Sequence, residues 1–258
     1  MTILEGRTLL ITGVVTTDSI AFSVARRAIG FGAEVVLTAL DRDLERCELA
    51  ASELGVTEVL ELDVTRPADL ARLEQRLRAE RGYLDAALHA VAFAPRDALA
   101  GSFLAAGQES VAQAFATSAF SFASLARLLA SLAPDRGGSL VGLDFDAAAA
   151  WPVYNWMGVC KSALESINRY VARDLGVKGI RSNLVAAGPL HTRAANGIPD
   201  FERLLSAWEE RSPLPWDPTD NEPVADAVCF LMSDMGRAIT GEILHVDGGY
   251  HAMAAPLR

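Results

Sequence analysis

Short apolar runs alternate along this chain with longer segments whose apolar residues recur every three or four positions, and few folds accommodate that alternation. Residues 8–12, 34–38, 59–62, 86–90, 140–143, 182–186 and 243–246 read as seven strands. Residues 20–29, 44–54, 68–80, 109–132, 154–175, 201–211 and 224–233 read as the helices between them. Strands and helices in alternation are the signature of β-α-β crossovers. The expected fold class is α/β: a Rossmann-like doubly wound sheet of seven parallel strands with helices on both faces. Such a sheet binds ligands outside the carboxyl ends of its strands.

A chain of 258 residues, 51% of them hydrophobic, can bury one large core, and no Pro/Gly/Ser-rich linker interrupts the pattern. A single domain over 1–258 is expected. The formal charge of -10 comes without the clustered Lys and Arg that a nucleic acid or an anionic membrane would select, so neither partner is expected. Cys47, Cys160 and Cys229 lie far apart with no CxxC spacing, which predicts packed thiols in a reducing, cytoplasmic setting. No charged leader followed by an apolar run opens the chain, and no stretch of about 18 apolar residues reads as a membrane span. His89, His191, His245 and His251 are scattered without metal-ligand spacing, so no metal is expected. The long segments 109–132 and 154–175 are rich in Ala, Ser and Leu. Their apolar surface exceeds one core's needs and predicts subunit contacts in a homotetramer or homodimer.

Two constellations carry chemistry. After the first strand, Gly13-Val14-Val15-Thr16-Thr17-Asp18-Ser19-Ile20-Ala21 opens a helix, where unpaired N–H groups and the helix dipole favour a pyrophosphate. Only the first glycine of GxGxxG is present, so these residues alone read equally as a plain turn with an N-cap at Asp18 or Ser19. Further on, Tyr154 and Lys161 stand seven positions apart, with Met157 four before the lysine. In short-chain dehydrogenases that act on alcohols and ketones, the position of Met157 holds the acid-base tyrosine, and a thioether moves no proton. In a nicotinamide site of this pattern, a phenol at 154 faces a carbonyl that is polarised rather than reduced.

Gly13 with Ser19-Ile20-Ala21, Asp63-Val64 after the third strand, Tyr154 and Lys161 with six residues between, and Ala187-Gly188-Pro189-Leu190-His191-Thr192 together resemble the enoyl-[acyl-carrier-protein] reductases of the short-chain dehydrogenase/reductase superfamily. The resemblance runs over about residues 4–250. Leu143-Asp144-Phe145-Asp146, Tyr154-Asn155-Trp156-Met157 and Lys161-Ser162-Ala163-Leu164-Glu165-Ser166 resemble the mycobacterial, NADH-dependent branch in particular.

The resemblance implies NADH-dependent reduction of the 2,3 double bond of an enoyl thioester, carried on acyl carrier protein or coenzyme A, in fatty-acid or specialised lipid or polyketide biosynthesis. It implies hydride transfer from nicotinamide C4 to the β-carbon, with electrons collecting on the thioester oxygen, to which Tyr154 donates a hydrogen bond, before a proton reaches the α-carbon. Lys161 then holds the nicotinamide ribose and favours a polarised Tyr154. Phe145 lies beside nicotinamide and substrate, and Phe93 and Met157 line the acyl group with Tyr154. Gly13, Ser19, Ile20, Ala90, Ala92, Leu190 and Thr192 surround the pyrophosphate, ribose and carboxamide, while Asp63 and Val64 bracket the adenine. Asp41 meets the adenosine ribose, where an acid repels a 2′-phosphate and favours NADH over NADPH. Arg42 beside it leaves NADPH open. As isolated residues, Phe145 and Met157 also read as core and Asp63 as a helix cap.

This chain departs from the family pattern in three places. After the fourth strand the family usually shows Ser-Ile-Gly, whereas Ala90-Val91-Ala92 removes a hydroxyl and adds a methyl. One lost neutral hydrogen bond is worth about 0.5–1.5 kcal/mol, which retunes a cofactor site without abolishing it. Within 189–212, the substrate-binding loop and helix by resemblance, the segment after Thr192, residues 193–199 and then the helix 201–211, is shorter than in the mycobacterial enzymes and implies a shorter acyl chain. Its helix sets Arg203 and Arg211 against Glu202, Glu209 and Glu210, which weakens recognition of an acidic general carrier and brings in a dedicated carrier or coenzyme A. Two other functions stay open: a short-chain dehydrogenase acting on a carbonyl or alcohol, disfavoured by Met157, and a catalytically impaired homologue, motivated by Ala90 and Ala92.

Overall fold

The strand-helix alternation builds one sheet in the computed structural model, which describes residues 2–198 and 200–255. The strands are β1 (Thr8–Thr12), β2 (Glu34–Ala39), β3 (Val59–Glu61), β4 (Ala86–His89), β5 (Gly138–Asp144), β6 (Ile180–Ala187) and β7 (Ile243–Val246). They run parallel in the order β3-β2-β1-β4-β5-β6-β7. The chain therefore moves outward from β1 to β3, then crosses back to lay β4 on the other side of β1. That reversal opens a crevice between the carboxyl ends of β1 and β4, the place where doubly wound sheets bind their ligands.

The helices are α1 (Ile20–Gly30), α2 (Leu44–Glu53), α3 (Pro67–Glu80), α4 (Arg96–Leu99), α5 (Gln108–Phe115), α6 (Ser121–Leu132), α7 (Asn155–Leu175), α8 (Glu202–Arg211) and α9 (Glu222–Met232). Residues alternate across the sheet because side chains on a strand point to opposite faces with a period of two. Leu9, Ile11, Leu88, Val141 and Val185 pack under α1, α2 and α9, while Leu10, Ala87, Leu140 and Leu184 pack under α3, α6 and α7. Both faces are thus covered, as an all-parallel sheet requires. A third, smaller cluster of Ala94, Ala98, Ala114, Tyr154, Met157 and Cys160 lies apart from these two layers.

The expected long segment 109–132 is one continuous helical stretch, α5 and α6 joined by a π-turn at Ala116–Phe120. Ser118 in that turn explains its position: its Oγ accepts the Phe93 N–H at 2.9 Å and donates to the Phe93 carbonyl at 3.0 Å. The chain after β4 is thereby fixed to the helix. By length and hydropathy 108–132 is apolar enough to cross a membrane, contrary to the reading of the sequence, but 56% of that apolar window is buried inside the fold. The segment 189–212 contains α8; Pro199 within it lies outside the described residues.

Candidate active site

A cleft of about 460 Å³ runs along the carboxyl ends of the strands. The β1–α1 turn lines it with Gly13, Val15, Thr16, Ser19, Ile20 and Ala21, the segment after β2 with Arg42, Asp43 and Arg46, and β4 and β5 with Ala90 and Leu143. Thr192, Arg193 and Ala194, after β6, complete it. Of the residues singled out in the sequence, Gly13, Ser19, Ile20, Arg42, Ala90 and Thr192 meet here.

The cleft fits a dinucleotide. Gly13 holds φ +84°, and a Cβ on it would stand 2.1 Å from the Ala90 carbonyl oxygen, so only glycine lets the turn come this close to β4. Ala90 is held in turn by Thr12, whose Oγ1 accepts the Ala90 N–H at 3.1 Å while donating to the Leu88 carbonyl at 2.8 Å. Ser19 caps α1, accepting the Phe22 N–H at 3.1 Å, and the first turn carries no acid to repel a phosphate. At the other end of the cleft Asp43 pairs with both Arg42 and Arg46 at 3.4 Å, an ion pair set that the sequence reading missed apart from Arg42. Its only sequence signal was the three-residue spacing of Asp43 and Arg46 on the first turn of α2.

Other expected cofactor residues stand outside the lining. Asp41 is exposed on a short 3-10 turn after β2. Asp63 accepts the Thr65 N–H at 2.9 Å and the Thr65 hydroxyl at 2.6 Å and pairs with Arg66 at 3.3 Å, so its carboxylate already organises the turn into α3. Val64 and Leu190 are buried, at 5% and 4% exposure. Ala92 is exposed and Phe93 is 41% exposed beside it. Thr192 accepts the Ala195 N–H at 3.2 Å.

Tyr154 and Lys161 lie two turns apart at the start of α7. Val153 at φ +59° and Asn155 at φ +37° flank the tyrosine in the left-handed region, an unusual cost for a β-branched residue and one met at sites where a side chain must be held. Tyr154 is buried against Phe145, with ring centroids 5.1 Å apart, and shares its cluster with Met157. Burial, and then the negative field of Asp144, hold the Tyr154 phenol above its ordinary range, so it keeps its proton and is a hydrogen-bond donor.

Lys161 is buried at 6% exposure, donates to the Leu143 carbonyl at 2.8 Å, and so reaches the residue by which β5 lines the cleft. Its Nζ stands 3.9 Å from Asp144 Oδ1. Neither Asp144 oxygen has a hydrogen-bond partner among the described residues. Burial pushes the Asp144 carboxyl up to about 7 against the attraction of Lys161, and burial lowers the Lys161 ammonium against the attraction of Asp144. His89, at the end of β4, is pushed down to about 3 by burial and then by Lys161; its neutral ring pairs through Nε2 with Ser121 Oγ at 2.7 Å. In the sequence Asp144 stands beside Phe145, near the position where carbonyl and alcohol dehydrogenases place a serine, and nothing there foretells its burial next to Lys161.

The profile of the family described as Enoyl-(Acyl carrier protein) reductase matches residues 13–251. Among similar proteins, the Enoyl-[acyl-carrier-protein] reductase [NADH] of Mycolicibacterium smegmatis is 42% identical, covering 96% of this chain and 97% of its own. The Mycobacterium avium protein of the same name is 41% identical over 96% and 97%. The Bacillus cereus Enoyl-[acyl-carrier-protein] reductase [NADH] FabI is 38% identical over 98% and 100%. With both the profile and these relatives spanning nearly its whole length, the chain belongs to the enoyl-[acyl-carrier-protein] reductase family.

Proposed function

We propose that this chain reduces the 2,3 double bond of an enoyl thioester with NADH, in fatty-acid or related lipid synthesis. The observation that carries this reading is a buried, protonated Tyr154 packed on Phe145, with Met157 where a ketone reductase needs a proton-transferring phenol. The relatives named above support it, since each bears NADH and enoyl-[acyl-carrier-protein] in its name.

NADH supplies the hydride when bound. The rest is done by the chain's own groups. Gly13, Ser19, Ile20 and Ala90 hold the pyrophosphate side, Thr192 the carboxamide side, and Lys161, released from the Leu143 carbonyl, the ribose hydroxyls. Asp41 at the adenosine end disfavours an extra phosphate, while Asp63 and Val64 border the adenine. Tyr154 donates its O–H to the thioester oxygen, where negative charge grows only as the double bond is reduced. A donor placed for that charge in a water-poor site lowers the barrier rather than merely binding substrate. Phe93 and Met157 line the acyl group, and 189–212 is the substrate-binding segment of a single reductase domain.

The thioester arrives on acyl carrier protein or coenzyme A. On α8, Arg211 is already committed to the Tyr250 hydroxyl and the Met253 carbonyl, which leaves little basic surface on that helix for an acidic carrier. We further read the chain as a soluble cytoplasmic homotetramer or homodimer. Phe115, Phe120, Val159 and Tyr170, each 42–58% exposed on α5, the π-turn and α7, support a second copy covering those faces. Light scattering tests the assembly, and a monomer at working concentration would refute it.

The catalytic reading is tested by NADH consumption on matched enoyl and 3-ketoacyl thioesters, each on coenzyme A and on acyl carrier protein. Consumption with enoyl substrates and none with ketoacyl substrates is expected. The reverse preference would transfer the chain to carbonyl reduction.

A further inference from the structure

Four aromatic side chains from widely separated stretches form one wall beside Tyr154. Phe145 follows β5, Trp151 sits in the loop before α7, Trp208 is on α8 and Tyr250 follows β7. Ring centroids are 5.0 Å apart for Phe145 and Trp151, 5.2 Å for Trp151 and Trp208, 5.5 Å for Trp151 and Tyr250, and 3.8 Å for the stacked Trp208 and Tyr250. Phe145 closes the wall against Trp208 at 5.7 Å.

Three of the four rings are pinned. The Trp151 indole donates to the Asp146 carbonyl, and the Ala147 N–H of the same loop donates to Glu165 on α7 at 3.2 Å. The Trp208 indole donates to the Asp247 carbonyl at 3.0 Å, and the Arg211 guanidinium lies 4.4 Å over the Tyr250 ring. Gly188 shows how full this corner is: a Cβ there would stand 2.7 Å from Trp208 and 2.8 Å from Trp216.

An alkyl chain threaded between two of these rings needs contacts of about 3.5–4.0 Å on each side, more than such centroid separations leave. Tyr154 also shares a buried cluster with Met157, Ala94, Ala98, Ala114 and Cys160, against which Leu99, Trp156 and Ile198 pack, so little room is left around it.

We propose that Trp151, braced by Trp208 and Tyr250, caps the acyl pocket and makes this chain a reductase of short-chain enoyl thioesters. The proposal rests on the enoyl-thioester reading above and adds the substrate class and the residue that sets it. A methylene that a rigid apolar pocket cannot hold costs about 10- to 200-fold in kcat/KM, so a sharp length limit follows from pinned rings.

The test is kcat/KM over the trans-2-enoyl-coenzyme A series from crotonyl to hexadecenoyl, for wild type, Trp151→Ala and Trp151→Phe. Wild type should favour crotonyl through octenoyl over dodecenoyl and hexadecenoyl by at least about 10-fold, and Trp151→Ala should shrink that ratio by about 10-fold. Trp151→Phe, which keeps a ring in the wall, should retain the short-chain preference. Tyr250→Ala, from a separate part of the chain, should shift the profile in the same direction and serves if Trp151→Ala fails to fold. A wild-type optimum at dodecenoyl or longer, or an unchanged ratio in folded alanine variants that still bind NADH, would overturn the length limit while leaving the reductase reading intact. No turnover at any length, on coenzyme A or on acyl carrier protein, would defeat both.

Discussion

Lys161 Nζ lies 3.9 Å from Asp144 Oδ1, and the two side chains are 7% and 0% exposed. A buried pair at this distance, with the carboxylate otherwise unpartnered, stabilises little and leaves the lysine charge steerable. Among the described residues Lys161 donates one hydrogen bond, to the Leu143 carbonyl, and the proposed function has the ribose hydroxyls take its place.

Stability should register Asp144 through pH. Its folded-state pKa is raised from 3.8 to about 7, so between those values the folded chain holds a proton that the unfolded chain has released. This contribution is fully present below about pH 4 and is lost as pH rises through about 7. Relative to wild type, Asp144→Asn should therefore gain stability progressively over that window, as read by urea unfolding at a series of pH values. A stability difference that does not change with pH would contradict the raised value.

Tyr154→Phe removes the donor and keeps the ring that packs on Phe145. Turnover should fall by about 10²–10³-fold, the usual effect of deleting one donor to a developing oxyanion. NADH affinity should stay within a few-fold of wild type. Fluorescence titration together with steady-state kinetics separates the two, and undiminished kcat would remove Tyr154 from the mechanism.

Lys161→Ala should act on the cofactor. Losing charge-assisted hydrogen bonds of about 1.5–3 kcal/mol corresponds to roughly 10- to 100-fold weaker NADH binding. The variant also leaves Asp144 without its counter-charge, so lowered thermal stability above neutral pH is expected alongside. Unchanged NADH affinity by calorimetry would place the lysine in a structural role.

Gly13→Ala should damage both fold and cleft. The new Cβ meets the Ala90 carbonyl at 2.1 Å, and the φ of +84° is strained for any other residue. A cost of about 1–3 kcal/mol for the backbone strain alone is expected, with loss of NADH binding. Calorimetric melting with and without NADH checks this; a variant that melts and binds like wild type would show that the turn does not need glycine.

The strands were legible because both faces of the sheet are buried: β1 and β7 fall where the apolar runs end, and β5 and β6 extend the expected runs by one to two residues at each end. The π-turn at Ala116–Phe120 was not legible, since the helical period continues through it and only the bonds of Ser118 to Phe93 locate it. Helix α4, four residues long, is too short to show a period. In the site, the spacing of Tyr154 and Lys161 was visible locally, whereas the Gly13 turn read equally as a plain strand-turn-helix and gained its role only from the family resemblance. The aromatic wall was not legible, because Trp151, Trp208 and Tyr250 come together only through tertiary packing of segments that share no pattern. The bonds of Asp63 to Thr65 and Arg66 match the helix-cap reading that the sequence also allowed.

The most direct test of the central claim follows the label of NADH deuterated at both C4 positions into the product of an enoyl thioester of short chain length. Mass spectrometry should find deuterium on the β-carbon of a saturated acyl thioester, with label transfer slowed in Tyr154→Phe. Deuterium on the carbonyl carbon, or none in any acyl product, would contradict the account.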